Sequence, residues 1–181
     1  GTYARVGSDG EAITGLAKIG SYLVAFKRQS VWLLSGSSWR DFELAQVSSE
    51  HGCVSHESIA YVSGRLVFLA NDSVWSYDGQ QFEDLGKNIR PTIDGYTATQ
   101  KEKSFAVYDP DNRWYVLFMP STAALAAAPT GHALVFDLRT GAWPRFTVMP
   151  GNTNGTAGPG CAIYAGRAAT KGVYAGDPYG T

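Results

Sequence analysis

Three potential metal ligands stand within six residues at His51-Gly52-Cys53-Val54-Ser55-His56. Zinc takes such imidazole and thiolate donors, but a structural site closes with a fourth ligand in a tetrahedral shell. The other candidates, His132 and Cys161, lie far along the chain, and no spacing directs them here. The run falls between two blocks of strand-like sequence, where a connection uses small and polar residues. We expect a connection and no metal. Asp109-Pro110-Asp111-Asn112 offers oxygen donors of the kind calcium accepts. Asp-Pro and Asp-Asn are also tight-turn formers, and a turn is expected.

Hydrolysis by paired carboxylates would draw on Glu43, Glu50, Glu57, Asp84 and Asp94, none at a recognisable spacing. Such pairs are defined in space rather than along a chain. Ser55 and His56 stand beside many acids, yet no Gly-x-Ser-x-Gly elbow is present. Nucleotide-binding glycine patterns are missing too. No catalytic residue, cofactor or metal is expected, and the reading is of a protein that is not an enzyme.

The elements that would have to position any site are short strands. The 181 residues suit one domain, and charged residues are 17% against a usual ~25%. Aromatics reach 13%, so the chain can bury a core. With net charge −1, the totals point to no basic nucleic-acid-binding surface. No apolar run reaches the ~18 residues of a membrane span. Two cysteines, Cys53 and Cys161, are too few for a disulfide scaffold.

Alternating runs fall into quartets: 13–19, 22–27, 30–34 and 42–47; 58–62, 65–69, 73–77 and 82–85; 104–108, 113–118, 133–137 and 143–148. Runs at 161–165 and 172–176 begin a fourth. Turn residues such as Ser63-Gly64, Asp78-Gly79 and Thr140-Gly141 separate them. First strands begin at 13, 58, 104 and 161, steps of 45, 46 and 57. Without a 12-residue insertion in the third unit, the last step is also 45. Ser-Val-Trp recurs at Trp32 and Trp75, each followed seven residues later by an aromatic, Trp39 and Phe82. Phe136 followed by Trp143 repeats that offset, which aligns Phe136 with the two tryptophans.

Four-stranded antiparallel units at this period are the signature of β-propeller blades. We therefore expect an all-β, propeller-like single domain over 1–181, with blades at about 13–50, 58–90 and 104–150 and an incomplete one at 161–181. A β-sandwich of about twelve strands is the other architecture, but it has no need of a constant period. The aromatics Trp32, Trp75, Phe136 and Trp143 are expected to fill the wedges between blades. Three and a half blades do not close a ring, so an apolar blade face is expected to stay open and invite association. The missing initiator Met points to a processed product or an excerpt of a longer chain, and the missing blades are expected either in further sequence or from other chains. The Ala-rich insert at 121–130, with Ala124, Leu125 and Ala126, is the candidate subunit-contact loop.

Ile13-Thr14-Gly15-Leu16, Tyr22-Leu23-Val24-Ala25-Phe26 and Ser30-Val31-Trp32-Leu33-Leu34 resemble the tail propellers of short-tailed bacteriophages. The resemblance continues through 51–60, Leu66–Ala70, Val74-Trp75-Ser76-Tyr77-Asp78-Gly79, 108–115 and Leu134-Val135-Phe136-Asp137. It implies a tail hub or nozzle component, assembled in the host cytoplasm and located in the virion tail. It also implies a homo-oligomeric ring that meets other tail, adaptor or portal proteins and lets DNA pass without sequence-specific binding. No catalytic residues come with it. A rival expectation is a carbohydrate-binding propeller for host attachment, with Trp39, Trp114 and Trp143 stacking on sugar rings.

Overall fold

The computed structural model describes residues 5–7, 10–38, 40–119, 132–147, 161–165 and 172–176. The fold is mostly β, and its strands form antiparallel sheets paired in chain order. The first sheet is β1 (Ile13–Ile19), β2 (Tyr22–Lys27), β3 (Val31–Ser35) and β4 (Glu43–Ser48). The second is β5 (Ala60–Val62), β6 (Arg65–Leu69), β7 (Val74–Tyr77) and β8 (Phe82–Asp84). The third is β9 (Phe105–Asp109), β10 (Trp114–Met119), β11 (His132–Asp137) and β12 (Arg145–Thr147). A hairpin of β13 (Cys161–Ala165) and β14 (Gly172–Gly176) follows. Each expected quartet is thus one sheet, with strand ends moved by one or two residues.

Turn chemistry sets these registers. Between β5 and β6 the two turn residues Ser63 and Gly64 both have positive φ, 48° and 91°. That is the backbone of a two-residue hairpin whose twist matches its strands. Longer turns are held by an aspartate at the strand end. Asp109 Oδ1 accepts from the amides of Asp111 and Asn112 at 3.0 and 3.1 Å. Asp78 Oδ1 accepts from Gln80 and Gln81, both at 2.8 Å. Asp137 Oδ1 accepts from Arg139 at 2.8 Å.

The chain divides into two compact units, Gly1–Ile93 and Asp94–Thr181. In the first unit the core lies between two sheet faces. The first sheet contributes Ile19, Val24, Phe26 and Val31, and the second Leu66, Phe68, Trp75 and Tyr77. Phe26 and Phe68, both fully buried, meet with ring centroids 4.8 Å apart. The opposite face of the second sheet is also apolar and buried, with Val62, Val67, Leu69 and Val74 at 1% exposure or less. Period-two alternation therefore does not separate an inner face from an outer one.

In the second unit Phe105, Val116, Phe118, Ala133 and Val135 form one cluster, with Val107 and Trp114 packed against it. The β13–β14 hairpin lies beside β9. Ahead of β9 stand two short helices without an expected counterpart, α1 (Arg90–Asp94) and α2 (Ala98–Glu102). Thr97 and Gln100 form a capping box at the start of α2. That Thr-x-x-Gln pattern is the local signal for the helix, but five residues are too few to display an apolar period.

The ladders correct one alignment. Trp32 pairs with Ala25 and Trp75 with Phe68, at matching steps from their β1–β2 and β5–β6 hairpins. In the third sheet that step belongs to Leu134, opposite Leu117. Phe136 pairs with Tyr115 and so matches Tyr77, opposite Leu66, and Leu34, opposite Leu23. The seven-residue offset misaligned Phe136 because the turn after β11 is longer than the turn after β7. What repeats is an aromatic at the end of the third strand that holds a later aromatic. Tyr77 stacks on Phe82 at 4.4 Å, and Phe136 rests on Trp143 at 5.0 Å.

Candidate functional site

The residues at 51–56 do three separate jobs. His51 stacks on Trp75, with ring centroids 3.7 Å apart. Cys53 is fully buried, and its thiol donates to Ser55 O at 3.0 Å and lies 3.7 Å from Ser58 Oγ. Burial pushes that thiol up to about 11, which leaves it a poor nucleophile and metal donor at neutral pH. His56 is exposed at the start of a 3-10 turn, His56–Ser58. Among the described residues no three His, Cys, Asp or Glu side chains are grouped to hold a metal ion.

The segment ties the two sheets of the first unit together. Cys53 N donates to Lys27 O at 2.9 Å, and Val54 N to Leu69 O at 3.0 Å. Thr14 Oγ1 donates to Cys53 O at 2.6 Å, and Leu69 N to Ser58 Oγ at 3.1 Å. Gly52 is required because a Cβ there would run into the backbone of Lys27 and Arg28.

Asp84 also has a structural role. It accepts from Ser73 Oγ, from Gly86 N at 3.0 Å and from Arg90 at 2.7 Å. Arg90 reaches Asp72 as well, at 3.4 Å, so the cluster pins the segment after β8 to the β6–β7 hairpin. Asp109–Asn112 is an aspartate-held turn, in which Asn112 Nδ2 also donates to Asp109 Oδ2 at 2.8 Å.

Of the aromatics singled out in the sequence, Trp75 belongs to the core of the first unit. Trp32 is half-buried on the other face of the first sheet, its Nε1 donating to Ser30 Oγ at 3.1 Å. Phe136 is buried and Trp143 half-buried against it, while Trp114 packs on the second unit's apolar cluster. Trp39 and the contact-loop residues Ala124, Leu125 and Ala126 lie outside the described residues.

Two surfaces of the first unit stand out. The first is the face of the first sheet that points away from the second. Register places Leu16, Ala25 and Trp32 in one row and Leu23, Leu34 and Leu44 in the next. Leu16 and Leu23 remain 49% and 39% exposed, with Phe42 at 51% on the margin. Contiguous exposed apolar surface of this kind marks association. Of the residues that register places on this face, Leu16 and Leu23 are exposed and Ala25 is buried.

The second is an open groove of about 470 Å³ lined by Gln46, Val47, Ser48, Ser49, Glu50, His51 and Phe82. Ser48 Oγ accepts from the amides of Glu50 and His51 at 3.3 and 2.9 Å, which fixes the bend that forms one wall. Phe82 forms the other wall, with its ring centroid 6.0 Å from that of His51. The groove brings together residues more than thirty positions apart, so no local pattern announces it.

No protein-family model matches the chain, and no curated protein is detectably similar to it.

Proposed function

We propose that this chain is a structural protein of a short-tailed phage tail. In this reading it is a hub or nozzle component built as a β-propeller-like array and assembled into a homo-oligomeric ring with other tail proteins. One observation supports it above the others. In the second sheet Leu66, Phe68, Trp75 and Tyr77 form the face that packs on the first sheet. Of the register-equivalent residues of the first sheet, Leu23 is exposed, Trp32 and Leu34 are half-buried and Ala25 is buried, and Leu16, paired with Ala25, is exposed beside them. Part of a packing surface used once inside the molecule is thus offered again at its edge. Sheets stacked in this manner form arrays in which each unit covers only its neighbour. The exposed edge is where a further sheet, carried by a sister subunit, completes the stack.

Net charge of −1 is compatible with a conduit that lets DNA pass, because gripping phosphates needs lysine and arginine. Light scattering with negative-stain imaging of the same peak tests the proposal. Rings with an axial hole are expected for the native chain, and smaller species for Leu16→Glu/Leu23→Glu with unchanged circular dichroism. A native chain that stays monomeric at high concentration overturns it.

A further inference from the structure

The groove beside His51 opens at the margin of the first unit's core, against which Val47 and Phe82 pack, and its lining has an identifiable chemistry. Two rings and Val47 form its apolar part. Each ring is backed by a second, His51 by Trp75 at 3.7 Å and Phe82 by Tyr77 at 4.4 Å. Backing of this kind holds a ring face in place before a ligand arrives, which lowers the ordering cost of binding.

Around the rings stand the Gln46 amide, the Ser48 and Ser49 hydroxyls and the Glu50 carboxylate. Gln46, Ser49 and Glu50 are exposed, and the Glu50 carboxylate has no hydrogen-bond partner among the described residues. Among the described residues no lysine or arginine lines the groove. Phosphate, sulfate and carboxylate ligands lack the cation they need. A wholly apolar ligand would offer no partner to the Glu50 carboxylate or the Ser49 hydroxyl, whereas Ser48 Oγ already accepts from two amides. A neutral molecule with C–H faces for the rings and hydroxyl donors for the carboxylate meets both demands. The volume of about 470 Å³ suits a small ligand and falls within the ~300–1,000 Å³ of ligand clefts.

We infer that this groove is a binding site for neutral hexose oligosaccharides. One sugar ring lies on Phe82 and His51, and its vicinal hydroxyls donate to Glu50. The inference does not depend on the tail proposal, since the groove is formed within one chain.

The test is a two-dimensional amide NMR titration of the native chain with maltotriose, cellotriose and lactose. Inorganic phosphate and sialyllactose serve as anionic probes. Saturable shifts at 46–51 and Phe82 with at least one neutral sugar are expected, and none there with phosphate. Glu50→Gln should weaken binding about tenfold, as loss of a charge-assisted hydrogen bond does. Phe82→Leu should weaken it about fivefold by removing the ring face. Glu50 is exposed, so its variant separates lost binding from lost folding, which thermal unfolding checks. Silence from all three neutral sugars, a preference for either anion, or shifts confined to other residues overturns the inference. An unaltered affinity in Glu50→Gln overturns it as well.

Discussion

The His51 imidazole lies nearly parallel to the Trp75 indole, with centroids 3.7 Å apart and planes inclined by 22°. A residue of the connection between two sheets thereby caps the third strand of the second. The contact closes the core over Trp75, whose Nε1 is buried without a partner among the described residues. His51→Ala should cost about 1 kcal/mol, the usual worth of such a ring pair, and His51→Phe should restore most of it. Urea unfolding followed by tryptophan fluorescence measures both.

Phe26 and Phe68 join the two sheets through the centre of the same core. Either change to Ala should cost about 3–5 kcal/mol, because each removes a fully buried ring and leaves a cavity. The two losses should not add. A double-mutant cycle is expected to show about 1 kcal/mol of coupling between the rings. Additive losses would show that the rings pack independently.

Gly52 and Gly20 should respond differently to alanine. At Gly20, with φ of 56°, a Cβ has open space around it, so only backbone strain of about 1 kcal/mol is lost. At Gly52 a Cβ meets the carbonyls of Lys27 and Arg28, which are backbone and cannot turn aside. About 3 kcal/mol is expected there, the upper end for overpacking. Denaturation midpoints of the two single variants decide the order.

Stability should fall in alkali through Cys53. Its folded value of about 11 stands above the ordinary 9.0, because burial disfavours the thiolate. Between those values the unfolded chain has released a proton that the folded chain keeps, so stability falls as pH rises through that window. Below pH 9 the contribution is fully present. Cys53→Ala should flatten the decline across pH 9–11 in unfolding series. Tyr77, raised above 10.0 chiefly by burial, should supply the slope that remains.

Acid should act through the turns. Asp78 is held below 3.8 mainly by the Gln81 and Gln80 amides, and Asp137 mainly by the Arg139 side chain and amide. Their depressed folded values give stability that is present above about pH 4 and lost as pH falls through those values. Asp78→Asn should lower stability at pH 7 and leave it little changed at the acid end, so the acid limb of the stability curve becomes shallower. Thermal unfolding between pH 2 and 7 reads the difference, and an unchanged acid limb would assign the loss to other carboxylates.

Strand positions were legible in the sequence because their determinants are local. Alternating apolar residues, a Ser63-Gly64 hairpin and aspartates placed before turns act over a few positions. The 45-residue period added which strands belong to one sheet. The two short helices escaped, since five residues show no apolar period and the Thr97–Gln100 capping box marks only the second of them. The alignment of Phe136 with Trp75 failed for a related reason. Counting residues across a turn assumes equal turn lengths, whereas ladder pairing placed Leu134 opposite Leu117 at the tryptophan step.

Sequence alone determined the strands, their turns and their grouping into sheets, because each depends on backbone preferences within one hairpin or on a simple repeat. Tertiary structure decided which apolar face became core and which stayed open. Both faces of the first sheet carry large apolar side chains, and only packing distinguishes fully buried Phe26 from half-exposed Leu16. Tertiary structure also decided that His51 meets Trp75 and that Glu50 and Phe82 share a groove. Contacts over such chain separations follow from the docking of whole sheets, whose free energy is spread over many side chains and written in no single motif.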